Sequence, residues 1–212
     1  MLQNPIDLIN YSQNDEQDYI LRYFLSHPPA KFIDIGGFDP KALSNTRCLV
    51  EMGWSGVYVE PSPKCMANFV MEYGDNPKIQ LVEKAIAMDD GTMEFWESNG
   101  DAVSTFDLKH KDKWSSFVKF DPIQVQTVTM GDFIEEHGEG TKFLSLDVES
   151  MNYMLFLQIP PDFWDEIHMC VIEHDGHHAE MTRILQGFGF SKLAQNSENI
   201  IMAKVYNDFP HW

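Results

Sequence analysis

Two short stretches decide the fold: residues 32–37, FIDIGG, and residues 53–61, GWSGVYVEP. Each begins as a nearly continuous apolar run, the mark of a strand buried on both faces of a parallel sheet, and each breaks off on an acid beside glycine or proline. FLSLDVES at 143–150 and MCVIEHDG at 169–176 repeat the pattern. Ligands of open α/β sheets lie outside the carboxyl ends of the strands, which is where Asp34, Glu60, Asp147 with Glu149, and Glu173 then fall. A carboxylate there loses hydration unless a partner replaces it. Four such strand ends on one edge point to a bound molecule rich in hydroxyls, amines or positive charge.

The intervening sequence supplies helices. QDYILRYFLS at 17–26 sets Tyr19, Ile20, Tyr23 and Phe24 at helical spacing, and His27-Pro28-Pro29 ends that run. Ser44 can cap a helix through TRCLVEMG, and Ser62-Pro63 opens PKCMANFVMEYG with proline at the favoured first position. IQLVEKAIA (79–87) reads as one third strand, and Asp90-Gly91 with TMEFWES as a hairpin return. Residues 99–122 show no regular pattern and read as a surface excursion over a site. IQVQTVTM alternates as a strand, GDFIEEHG and HAEMTRILQGFGF read as helices, and SKLAQNSENIIMAKV as a terminal antiparallel pair. Strand and helix alternate throughout. The expected architecture is α/β: a single doubly wound, Rossmann-like, mostly parallel sheet with a C-terminal antiparallel strand pair, over residues 17–212, preceded by a flexible arm at 1–16.

An acid after the second strand is where nucleotide folds hold ribose hydroxyls, so Glu60 suggests a nucleoside cofactor. A dinucleotide needs G-x-G-x-x-G to bring its pyrophosphate onto a helix N-terminus. Here the turn is Gly36-Gly37-Phe38-Asp39-Pro40, without a third glycine and with acids on both sides, which would repel a pyrophosphate. A phosphate-free cofactor carrying an ammonium and a sulfonium is attracted instead, and S-adenosylmethionine meets that description.

The balance of charge agrees. Lys+Arg 15 against Asp+Glu 33 gives a net charge of −18, which opposes binding to nucleic acid and to anionic membranes. No run approaches the roughly 18 apolar residues of a membrane span, and the N-terminus reads as no signal peptide. Three scattered cysteines fit a reduced compartment, so the expected location is the cytoplasm. The oligomeric state is left open.

FIDIGGFDP and LSNTRCLVEMGWSGVYVEPSP resemble the opening of the FkbM-type, class I S-adenosylmethionine-dependent methyltransferases. KAIAMDDGTMEFW, TMGDFIEEHGEGTKFLSLDVES, VIEHDG and GFGF followed by ENIIMAK continue the resemblance in the family's order over residues 31–204. It implies that Asp34, Gly36 and Phe38 line the methionine end of the cofactor, Glu60 takes the ribose hydroxyls, Ala85 sits near adenine, and Asp101 and Ser104 add contacts. It also implies that Asp147 faces the methyl donor, and that the substrate is a small molecule or glycan whose hydroxyl is methylated. Where the family shows D-V-E-G-x-E, this chain has Asp147-Val148-Glu149-Ser150-Met151-Asn152, and Pro40 replaces a usual glycine of the first turn.

Methyl transfer to oxygen needs a proton acceptor, for which the candidates are Asp147, Glu149, Glu173 and His174. Asp147 and Glu173 could instead bridge Mg²⁺ or Mn²⁺, since oxygen ligands suit those ions; alternatively, the EHDGHH loop is only a polar helix start. Lys109 to Lys113 reads as a solvated face or as a lid that touches an anionic substrate, with Phe106, Trp114 and Phe117 able to shield the donor. Two further readings stand beside the methyltransferase. One is a non-catalytic binding module on the same fold, favoured by Ser150 and Asn152; the other is a nicotinamide oxidoreductase, disfavoured by the missing glycines.

Overall fold

The computed structural model describes residues 9–100 and 102–205. The two opening stretches become β1 (Lys31–Ile35) and β2 (Ser55–Val59), paired in parallel with Ile33 beside Val57. The two later acid-ended runs become β7 (Thr141–Leu146) and β8 (Met169–Glu173). With β3 (Ile79–Val82), β9 (Phe190–Gln195) and β10 (Asn199–Lys204) they build one seven-stranded sheet in the order β3-β2-β1-β7-β8-β10-β9. Pairing is parallel from β3 to β8, and β10 runs antiparallel to both β8 and β9. The expected sheet and its antiparallel terminal pair are therefore present. The strand order reverses between β1 and β7, and a crevice opens at the carboxyl ends there.

Side-chain alternation explains why the strands are apolar throughout. Phe32, Tyr58, Phe143 and Val171 point to one layer, with α1 (Glu16–Phe24), α2 (Arg47–Glu51) and α3 (Pro63–Tyr73). Ile33, Val57, Leu144 and Ile172 point to the other, with α5 (Met130–His137), α6 (Asn152–Phe156), α7 (Phe163–Glu166) and α8 (His178–Gly187). Each fully buried side chain of this size stabilises the fold by about 1.5–3 kcal/mol. Ser62 caps α3 as expected, its Oγ accepting from Cys65 N–H at 3.3 Å; α2 instead starts after Thr46, and Ser44, two residues ahead of that cap, accepts from Arg47 N–H at 3.1 Å. All three cysteines are free and buried.

Three expectations change. The run at 79–87 is two strands, because Glu83 and Lys84 interrupt the apolar sequence: β4 (Ala85–Ala87) leaves the main sheet and pairs in parallel with β6 (Asp121–Thr129). β5 (Gly91–Glu97) does not return against the strand before it. Instead it pairs antiparallel with β6, making a second three-stranded sheet in the order β4-β6-β5. The irregular stretch holds α4 (Leu108–Trp114), capped by Asp107, which accepts from Lys109 N–H. No residue of α4 is buried, which explains the absent periodicity.

Of the expected arm, residues 9–16 are described. Glu16 is buried and accepts hydrogen bonds from the Asn196 and Asn199 side chains, tying the start of α1 to the β9–β10 turn. Among the described residues no helix is long and apolar enough to cross a membrane.

Gly56 sits directly beside Phe32 across the β1–β2 pair, and a Cβ there would stand 2.1 Å from the Phe32 ring. Gly56→Ala is expected to cost about 1–3 kcal/mol in urea unfolding as the ring is displaced. An unchanged midpoint would contradict this packing.

Candidate active site

The turns after β1 and β7 are pressed together. Asp147 N–H donates to the Ile35 carbonyl at 2.9 Å, and Gly36 N–H donates to the Val59 carbonyl at 2.9 Å. Gly36 has a φ of +81°, and a Cβ on it would lie 1.6 Å from the Asp147 carbonyl oxygen, so only hydrogen fits. The chain then turns at Phe38, whose N–H donates to Glu60 Oε2 at 3.2 Å, while Ser62 N–H donates to Oε1 at 2.8 Å. Two backbone donors thus aim the Glu60 carboxylate, with its remaining lone pairs free for a ligand.

Two cavities meet at this junction. The first, about 570 Å³, is walled by Val59, Ile86, Phe95, Phe106 and Met151, with Glu60 at its polar side; Gly36, Phe38, Ala85 and Ser104 also line it. An apolar slot with one oriented acid suits a planar base with a ribose attached. The second, about 1400 Å³ with its mouth, is lined by Asp34, Asp147, Glu149, Glu173, Asp175 and Glu198, together with Ser145, His110 and Lys113. Gly36, Phe38, Asp147 and Glu149 belong to both.

Burial raises the carboxyls of this region. Asp34 is pushed up to about 7 by burial, against a hydrogen bond from the Thr46 hydroxyl and with the Asp147 charge adding to the rise. The Thr46 hydroxyl also lies 2.9 Å from the Tyr58 hydroxyl, which links Asp34 to the aromatic layer beneath it. Glu60 is raised to about 7 by burial, its two backbone donors opposing. Glu149 reaches about 8 through burial and then the Asp147 charge. Asp147 and Glu173 share a hydrogen bond, with Glu173 raised to about 10 by burial and next by the Asp147 charge. Burial and their mutual charge raise both carboxyls above the usual carboxylate range, so the pair takes up a proton that the two side chains share.

Asn152 braces this pair. Its Nδ2 donates to Glu173 Oε2, its Oδ1 accepts from Val148 N–H at 2.8 Å, and its backbone N–H donates to Asp175 Oδ2 at 2.9 Å. Phe38, Glu149, Ser150 and Asp175 all have φ between 47° and 74° and all line the second cavity. Left-handed residues without glycine cost of order 1–3 kcal/mol each and gather where function over-determines the backbone. Ser150, standing where the resembled family has glycine, keeps a glycine-like φ of 74° and hydrogen-bonds His110 Nδ1 at 3.0 Å.

Of the residues expected around the cofactor, Gly36, Phe38, Glu60, Ala85 and Ser104 line the first cavity, Asp34 lines the second, and Asp101 lies outside the described residues. Of the candidate proton acceptors, Asp147, Glu149 and Glu173 are brought together, but His174 lines neither cavity. Its Nδ1 accepts from Gly176 N–H at 3.0 Å and its Nε2 lies 3.4 Å from the Asn196 carbonyl oxygen, facing the β9–β10 turn. The expected metal bridge lacks a ligand set. Asp147 and Glu173 are joined by a proton, and among the described residues no group of three or more His, Cys, Asp or Glu is arranged to hold an ion. His110 and Lys113, from the run read as a solvated face or a substrate-touching lid, line the second cavity, as do Asp175 and Glu198, which were not expected as ligand contacts. Glu198 opens the ENIIMAK stretch, where the sequence marks only a strand pair and not a side chain turned toward the site.

A family model described as the methyltransferase FkbM domain matches residues 34–192. Among solved structures, monomeric WbdD is 11% identical with a TM-score of 0.50, covering 93% of this chain and 44% of that one. A "putative caffeoyl-CoA O-methyltransferase from Staphylococcus aureus" is 7% identical with a TM-score of 0.49, covering 94% and 86%. A "putative RNA methyltransferase PH1948 from Pyrococcus horikoshii" is 7% identical with a TM-score of 0.47, covering 98% and 91%. At such identities the likeness to WbdD shows the fold alone. No curated protein matches the chain.

A carboxyl whose folded pKa is raised contributes stability below its unfolded pKa and loses it as pH rises through the folded value. With Asp34 and Glu60 both near 7, the ligand-free protein is expected to lose melting temperature as pH rises from roughly 4 to 8. Glu60→Gln should flatten part of that slope in thermal melts. Identical slopes in the two proteins would contradict the burial of Glu60.

Proposed function

From the premise that the chain belongs to the FkbM methyltransferase family, we propose that it is an S-adenosylmethionine-dependent O-methyltransferase acting on a hydroxyl of a sugar, glycan or secondary metabolite. The observation that carries this reading is the meeting of an apolar, Glu60-bearing slot with a larger polar cavity at Gly36, Phe38, Asp147 and Glu149. Ala85, Ile86 and Phe95 offer the slot's apolar wall to adenine, Glu60 its lone pairs to the ribose hydroxyls, and the Gly36 turn a close approach to the methionine end. The cofactor supplies a methyl group on a sulfonium, whose C–S bond breaks with its electron pair left on sulfur as the C–O bond forms and the hydroxyl proton departs.

The chain's own work is alignment and proton removal. In-line displacement depends on holding the acceptor against the donor, and the strained turn at Glu149 and Ser150 fixes that wall. Asp147 accepts the hydroxyl proton, because it lines both cavities at the junction where donor and acceptor meet. Asn152 fixes the pair in place by donating to Glu173, a contact that a carboxylate at its position could not make unless protonated. That role supports an active enzyme over a binding module with the same fold. The acidic balance of the chain supports a small-molecule or glycan acceptor rather than nucleic acid or membrane, and its free, buried cysteines support a cytoplasmic location.

Calorimetric titration with S-adenosylmethionine tests the cofactor, and transfer of its methyl group to a glycan panel tests the reaction. Glu60→Ala is expected to weaken cofactor binding by about 1.5–3 kcal/mol, the worth of a hydrogen bond to a charged group. Asp147→Asn should lower turnover far more than cofactor affinity. An unchanged affinity in the first variant, or equal losses in the second, would contradict these roles.

A further inference from the structure

The second cavity has a larger charge imbalance than the first, six acids facing one lysine against three acids facing one. Asp147 and Glu149 line both, whereas Asp34, Glu173, Asp175 and Glu198 line only the second. They come from β1, the end of β8, the loop beyond it and the β9–β10 turn. Facing them are Lys113, whose side chain lies against the Trp114 ring, and His110, whose pKa is lowered by burial and next by the Lys113 charge. His110 is therefore neutral. A cofactor in the first cavity brings positive charge to the junction at Asp147 and Glu149, and leaves Glu173, Asp175 and Glu198 unanswered. Asn152 gives the first two only neutral donors, and the Glu198 carboxylate has no hydrogen bond or ion pair among the described residues.

A second observation is independent of those acids. The His110 side chain is only 9% exposed, and its Nδ1 is engaged by Ser150 Oγ. Its Nε2 has no hydrogen-bond partner, with a Glu149 oxygen 3.4 Å away. A buried ring nitrogen left without a partner carries its desolvation cost until a ligand group meets it.

We infer that the acceptor bears an ammonium group beside its hydroxyls, as in an amino sugar or amino alcohol, with the ammonium among Glu173, Asp175 and Glu198 and a hydroxyl at His110 Nε2. The inference rests on the methyltransferase reading above and narrows its substrate class. Phosphorylated or carboxylated acceptors would bring negative charge against a wall of six acidic side chains with one lysine to offset them, and would hold those acids protonated rather than draw on their charge. A plain sugar would meet the hydrogen bonds but leave the charge unbalanced. The raised carboxyls of Glu149 and Glu173 describe a cavity that takes up protons when no cation is bound, so ammonium binding returns protons to solvent.

The test is calorimetric titration of the full chain, saturated with S-adenosylhomocysteine, with glucosamine, glucose and gluconate near neutral pH. Glucosamine is expected to bind at least about tenfold tighter than glucose, as a charge-assisted hydrogen bond requires, and gluconate weakest. Glu198→Gln should remove most of that preference and leave S-adenosylhomocysteine affinity unchanged. Equal binding of glucosamine and glucose, tighter binding of gluconate, no binding of glucosamine, or a preference that survives Glu198→Gln would each overturn the inference. If S-adenosylhomocysteine itself fails to bind, the methyltransferase reading falls and takes this inference with it. If it binds and glucosamine shows no preference, the inference alone falls.

Discussion

Carboxylates withdrawn from water at one edge of a parallel sheet are the constraint on which the rest of the structure depends. Removing an ionised carboxyl from solvent costs several kcal/mol unless protons, donors or a cation replace its hydration. The chain answers only part of that cost. Backbone N–H groups serve Glu60, the Thr46 hydroxyl serves Asp34, a shared proton serves Asp147 and Glu173, and the Asn152 amide serves Glu173. What remains is an acidic pair of cavities suited to molecules that carry positive charge and hydroxyls without phosphate.

The same edge holds most of the backbone strain away from glycine. Phe38, Glu149, Ser150 and Asp175 are left-handed, and Gly36 is pinned between its own turn and the Asp147 carbonyl. Two layers of buried side chains on either face of the sheet hold these turns in place. The rigid strands fix where each acid begins, and the strained turns fix where it points. Ligand binding then relieves the desolvation that folding leaves behind.

Much of this was legible in the residues. Apolar runs ending in acids gave β1, β2, β7 and β8 and placed Asp34, Glu60, Asp147 and Glu173 on one edge, because a doubly buried strand needs apolar side chains on both faces. The break at Glu83-Lys84 was missed because a two-residue polar interruption looks like one polar side of an alternating strand. α4 was missed because a helix with no fully buried apolar residue has no hydrophobic stripe to detect. His174 adjoins Glu173 in sequence but points to the β9–β10 turn, since strand periodicity stops where β8 ends. Asn152 could be recognised as a departure from the family pattern. Its bracing role required the fold, because Val148, Glu173 and Asp175 meet it from two separate loops.

The central claim is that these acids jointly hold a cationic, phosphate-free nucleoside. A crystal structure with bound S-adenosylmethionine tests it most directly. The account predicts the ribose hydroxyls on Glu60, the adenine between Ala85, Ile86 and Phe95, and the amino-acid end at Gly36 beside Asp147. Density for the ligand elsewhere, or a Glu60 carboxylate that makes no contact with it, would contradict the account.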